Sequence, residues 1–151
     1  MSRIGVTGSV FTANIEAVQA GASTDVFGAL PQFRWRAAPW AEECQQRIES
    51  LRGLRENWDS YGASPTDLSS LVSAKSLLKE ISFINDVPQP TVTASPQGNV
   101  ALCWDLGMRS VDLEILPGGM VEYVVVDDSL RKEAEGITDR GVQLAGFFRD
   151  L

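Results

Sequence analysis

The sequence predicts an α+β fold: two antiparallel helices packed on a four-stranded antiparallel β-meander, with a C-terminal helix and an extended N-terminal arm. Three observations carry that expectation. Residues 39–83 place apolar side chains at helical spacing, interrupted once by a dense turn-forming stretch. From Thr91 onward the apolar period drops from about 3.6 residues to about 2. The connections in that second half are short and rich in Gly and Pro, as hairpin loops are.

Composition narrows the function classes. At 151 residues the chain suits a single domain, able to bury ~70% of the surface its unfolded form exposes. Its 44% hydrophobic and 22% charged residues are those of a globular protein rather than a disordered one. The chain has no histidine, which removes the Ser-His-Asp triad, the Cys-His pair and histidine metal ligation. Cys44 and Cys103 lack C-x-x-C spacing and fall on different elements, which points to reduced thiols rather than a zinc site or disulfide framework. The net charge of −7, with only Lys75, Lys79 and Lys132 as lysines, argues against a nucleic-acid binder and suits solubility or docking on a basic protein surface. No apolar run approaches the ~20 residues a membrane span needs. The start of the chain has one basic residue, Arg3, and no apolar signal core, so a cytoplasmic location is expected. No cofactor and no metal is implied.

Residues 1–38 form the expected arm, poor in charge and rich in small residues. Ile4, Val6, Val10 and Phe11 favour a strand over 3–13, and residues 14–20 fit a brief helix stopped by Gly21. Phe27, Leu30, Phe33 and Trp35 are too apolar for a free linker, so they pack on the body or meet a partner. The domain proper is expected over 39–151. Its first helix covers 39–55, with Pro39 at the first position and Glu42 and Glu43 at the positive end of the dipole. Trp40, Cys44, Ile48, Leu51 and Leu54 make the core stripe, opposite a wet side of Gln45, Gln46, Glu49 and Arg52.

A corner of seven residues follows: Asn57, Trp58, Asp59, Ser60, Tyr61, Gly62 and Ala63. Asn57 and Asp59 can hydrogen-bond nearby backbone, and Gly62 can take positive φ. Trp58 and Tyr61 are expected to fold down as apolar plugs with polar tips. The second helix is expected over 64–83, capped by Ser64 with Pro65 at the first position and Asp67 completing a capping-box-like arrangement. Leu68, Leu71, Val72, Leu78 and Ile81 are then inward.

The meander begins with residues 91–94 and a turn at 95–98. Val100, Leu102, Trp104 and Leu106 share the core face of the next strand. Gly107-Met108 makes a two-residue hairpin, after which Val111, Leu113 and Ile115 point inward. A three-residue loop at Pro117-Gly118-Gly119 pairs Leu116 with Met120 and keeps Val121, Tyr123 and Val125 on the core face. Residues 129–135 fit a short helix stopped by Gly136. Thr138 then caps a last helix carrying Val142, Ala145, Phe148 and Leu151.

That register puts Glu114 opposite Glu122 on the outer sheet face, with Asp112 and Asp105 nearby. Like charges facing each other are destabilising, so a basic partner, an Arg of the arm or a hard cation would compensate. Carboxylates standing straight out of a flat sheet converge poorly, which disfavours the cation. Asp59 beside Tyr61 could serve as an acid/base pair, but an Asp in a turn usually accepts backbone N–H groups. The interleaved Arg34, Trp35 and Arg36 are read as packing rather than as a nucleic-acid reader.

The order helix, N-W-D-x-Y-G-A corner (residues 57–63), Ser64-Pro65, helix, then the G-N-V-x-L-x-W strand (98–104) resembles a family of small uncharacterised bacterial proteins, with mobile-element or phage-linked genes a recurrent setting. The resemblance covers about residues 50–127. It implies a fold and a bacterial or phage source, and brings no catalytic residues. Ser60 stands where the family usually has glycine.

The leading expectation is a non-enzymatic protein-binding module, an inhibitor, antitoxin-like or anti-defence factor. Its expected partner-binding residues are Phe27, Phe33, Trp35, Glu114 and Glu122, and its structural motif is Asn57, Trp58, Asp59, Tyr61 and Gly62. Two rivals stand beside it: a small enzyme using Asp59 and Tyr61 with Mg²⁺, and a homodimer in which the arm adds a strand to a neighbour's sheet edge.

Overall fold

In the computed structural model, which describes residues 32–139 and 144–148, two helices pack on one face of a five-stranded antiparallel meander ordered β1-β2-β3-β4-β5. The expected strand over 3–13, the helix over 14–20, Phe27, Leu30, Val142 and Leu151 lie outside the described residues. No described helix is long and apolar enough to cross a membrane.

Helix α1 (Ala41–Ser50) tightens into a 3₁₀ turn over Leu51–Gly53. Cys44 and Ile48 are fully buried, and the Trp40 indole N–H donates to the Val87 carbonyl at 3.0 Å. Part of the expected wet side faces α2 (Leu68–Ile81) instead. Gln45 donates to the Lys75 carbonyl at 2.9 Å, and Glu49 bridges Arg52 and Lys75 at 2.8 and 3.1 Å.

Helix α2 starts later than Ser64-Pro65 implies, and the cap is Asp67, whose Oδ2 accepts from the Ser70 N–H at 3.0 Å and from the Ser69 hydroxyl. The reason lies in the neighbouring turn. Ser64 N–H donates to the Pro96 carbonyl (2.9 Å) and Asp67 N–H to the Gly98 carbonyl (2.8 Å), which holds residues 64–67 extended against the β1–β2 turn. The inward face also differs. It comprises Ser70, Leu71, Ala74, Leu77, Leu78 and Ile81, whereas Leu68 and Val72 are more than half exposed. Ser70 and Ala74 are small enough to let the helix approach the sheet, and that rotates the bulkier pair outward.

The central strands follow the expected alternation. β1 (Thr91–Ala94), β2 (Val100–Asp105), β3 (Arg109–Ile115) and β4 (Val121–Asp127) bury Val92, Val100, Leu102, Trp104, Val111, Leu113, Ile115, Val121 and Val125. Leu106 N–H bonds the Arg109 carbonyl at 2.7 Å across Gly107-Met108, and Leu116 N–H bonds the Met120 carbonyl at 2.9 Å. Both hairpin registers therefore stand as expected, including Glu114 opposite Glu122.

The end of the chain corrects the four-strand expectation. Lys132–Thr138 is a fifth strand, β5, paired with β4 along its whole length, where a helix over 129–135 was expected. Lys, Glu and Ala are good helix formers, but the run is followed by Gly, Ile and Thr, and pairing with β4 overrides local propensity. Gly136 is a packing residue rather than a helix stop: a Cβ there would meet the Tyr123 hydroxyl at 2.8 Å. Thr138 ends the strand opposite Val121, and residues 140–143, where the expected last helix would start, lie outside the described residues. Leu144, Ala145, Phe147 and Phe148 are buried; residues 144 and 145 are helical and lead into a 3₁₀ turn over Gly146–Phe148, and no longer C-terminal helix is seen among the described residues. Phe148 packs edge-on to Trp104 (centroids 4.7 Å apart), and Phe147 lies 5.0 Å from Tyr123.

One polar closure joins these pieces. The Arg109 guanidinium bonds Asp127 through Nε (3.0 Å) and Nη2 (2.7 Å) and reaches the Phe147 carbonyl at 3.4 Å. Asp127, itself nearly fully buried, also accepts from the Ser129 hydroxyl (2.6 Å) and the Leu130 N–H (3.1 Å), which shapes the β4–β5 turn.

Candidate functional site

The corner is a self-fastened loop. Asn57 and Ser60 take left-handed φ values of 63° and 68°, and Gly62 takes 93°. Asn57 Oδ1 accepts from the Gly62 N–H at 2.7 Å, while Asp59 Oδ1 accepts from the N–H groups of Tyr61 (2.8 Å) and Ala63 (3.0 Å). The Trp58 indole donates to the Ser64 carbonyl at 3.0 Å, and Ala63 is buried. Asp59 thus spends an oxygen on holding the loop. Tyr61 does not fold down as expected; it is 93% exposed, because the backbone turn that Asp59 fastens points its ring outward.

Ser60 shows why glycine is the easier residue there. A left-handed L-residue costs roughly 1–2 kcal/mol, and glycine's greater unfolded-state freedom returns part of that. Ser60→Gly is therefore expected to raise stability by about 0.5–1 kcal/mol, read as a higher denaturation midpoint with unchanged slope.

The outer face of the sheet is a second constellation. Across it run three rows: Ala101, Glu114, Glu122 and Ile137; then Cys103, Asp112, Val124 and Glu135; then Asp105, Ser110, Val126 and Glu133. Six carboxylates share this face, and no Lys or Arg of the five strands joins them. Sequence reasoning missed the group that meets Glu114. It is Asn99, buried at the start of β2, whose amide donates to Glu114 Oε1 at 2.8 Å. The signal is the asparagine of the Gly98-Asn99-Val100 run, a polar side chain directly before an apolar strand.

Cys103 lies among these acids, and burial pushes its thiol up to about 12, with further raising by its hydrogen bond to Asp112 and the charge of Glu114. It stays protonated near neutrality and is a poor nucleophile. Among the described residues no group of three or more Cys, Asp or Glu side chains converges to hold a metal ion.

No protein-family model, curated protein or solved structure matches the chain.

The remaining expected partner residues sit elsewhere. Phe33 is half-buried and forms a β-bridge with Ile84, fixing residues 32–38 beside the end of α2. Trp35 is 82% exposed, with the Arg36 guanidinium 3.8 Å over its ring. The structure brings Glu114 and Glu122 together, but Phe33 and Trp35 belong to the helix layer and not to the acidic face.

Proposed function

We propose that the chain is a non-enzymatic protein-binding module whose outer sheet face docks on a basic protein surface. The observation that carries this reading is the acidic face itself. Carboxylates from β2, β3, β4 and β5 surround Val124, Val126 and Ile137, and no strand residue on that face supplies a positive charge. Such a face is repelled by its own kind and attracted to a cationic one, and its apolar members supply area for a dry contact. An inhibitor, antitoxin-like or anti-defence role in a mobile-element setting fits a small acidic binder of this kind. The enzyme reading has less support, because Asp59 is engaged by backbone and Tyr61 is 93% exposed.

Glu122→Lys tests the proposal without threatening the fold. It turns the Glu114–Glu122 repulsion into an attraction, so thermal stability should hold or rise. Affinity purification of the tagged chain from a bacterial host should recover one stoichiometric partner, released by rising salt and weakened about tenfold or more by the substitution. A partner retained equally by Glu122→Lys and indifferent to salt would sink the acidic-face reading.

A further inference from the structure

On the helix layer, where residues 32–38 run beside 82–85, a groove of about 350 Å³ opens between that segment and the end of α2. It is lined by Arg34, Trp35, Lys79, Glu80 and Phe83. Its volume falls within the ~300–1,000 Å³ typical of small-ligand sites, which combine apolar walls with a few placed polar groups. Two properties set it apart from the rest of the molecule. Its walls are aromatic, with Trp35 and Phe83 offering ring surface and the Lys79 stem adding methylenes. It also concentrates positive charge in a chain of net charge −7. Arg34 and Lys79 line it and Arg36 caps the Trp35 ring, and none of the three has an ion-pair partner among the described residues. The one acid among the lining residues, Glu80, leaves the positive groups in excess there.

We propose that this groove binds a small aromatic anion, its ring against Trp35 and Phe83 and its charged substituent facing Arg34 and Lys79. Aromatic contact supplies area and orientation, and the cations of Arg34 and Lys79 select for the negative charge. This site is independent of the acidic sheet face.

The probe is anilinonaphthalene sulfonate, titrated into the full chain by fluorescence and calorimetry, with the uncharged phenylnaphthylamine as its neutral counterpart. One saturable site is expected, with Kd raised about tenfold or more by Trp35→Ala and likewise by Lys79→Glu. The neutral compound should bind at least about tenfold more weakly. Trp35 is mostly exposed and Lys79 lies on the outer side of α2, so circular dichroism should show both variants folded. Equal affinity in wild type and both variants overturns the proposal, as does a neutral compound that binds as tightly as the sulfonate.

Discussion

Replacing Arg109 by methionine should lower the melting temperature at pH 7 by on the order of 10 °C. Methionine keeps most of the aliphatic volume but leaves Asp127, whose side chain is only 2% exposed, without its guanidinium. The effect should depend on pH in a definite direction. Hydrogen bonds from the Ser129 hydroxyl and Arg109, with the Leu130 N–H behind them, hold the Asp127 carboxyl down to about 2, from 3.8, against the opposing push of burial. A depressed folded pKa contributes stability that is fully present above the unfolded value. That stability is lost as pH falls through about 2. In the variant the carboxyl lacks its main charge partner, and protonation relieves it rather than harming it. Thermal melts at pH 7 and pH 3 should therefore show the gap between variant and wild type narrowing in acid. An unchanged gap would mean that Arg109 contributes packing and not charge.

The second large effect is expected at Gly98, whose φ of 89° already disfavours a side chain. A Cβ there would sit 2.6 Å from the Pro65 carbonyl oxygen, a backbone atom that cannot swing aside. Gly98→Ala should cost about 2–4 kcal/mol, the sum of left-handed strain and a forced backbone shift. Gly62→Ala is the matched control. Its φ is similar at 93°, but nothing lies within 4 Å of the added atom, so strain alone applies, roughly 1–2 kcal/mol. Urea denaturation of the two variants separates the terms. Equal losses would show that the approach of Gly98 to Pro65 can relax freely.

The strands whose outer and inner residues alternate cleanly are legible in the sequence alone. Period two in 100–106 and 109–116, together with the loop length at 117–119, decided the register and hence the Glu114–Glu122 pairing. β5 was not legible, because Lys-Glu-Ala-Glu reads locally as helix and only the free edge of β4 makes it a strand. The start and rotation of α2 failed for a related reason. Ser64 and Pro65 carry a valid start signal, but the β1–β2 turn claims the backbone of 64–67, and nothing in the local sequence records that claim. At the candidate site the carboxylates could be placed by parity. Asn99, which is buried and donates to Glu114 fifteen positions away, could not. The Trp35 groove needed both the course of residues 32–38 and the end of α2, two pieces that sequence patterning treats separately.

The joint between the corner and the β1–β2 turn has one more implication. Its two ties, Ser64 to Pro96 and Asp67 to Gly98, run from amide to carbonyl and involve no side chain. A union of that kind is indifferent to most amino-acid identities. Over long divergence it can persist while nearly every residue around it drifts, so two chains sharing this joint need share little recognisable sequence. What must be preserved is the room for two main chains to touch, and a missing β-carbon at 98 is the mark that such a requirement leaves.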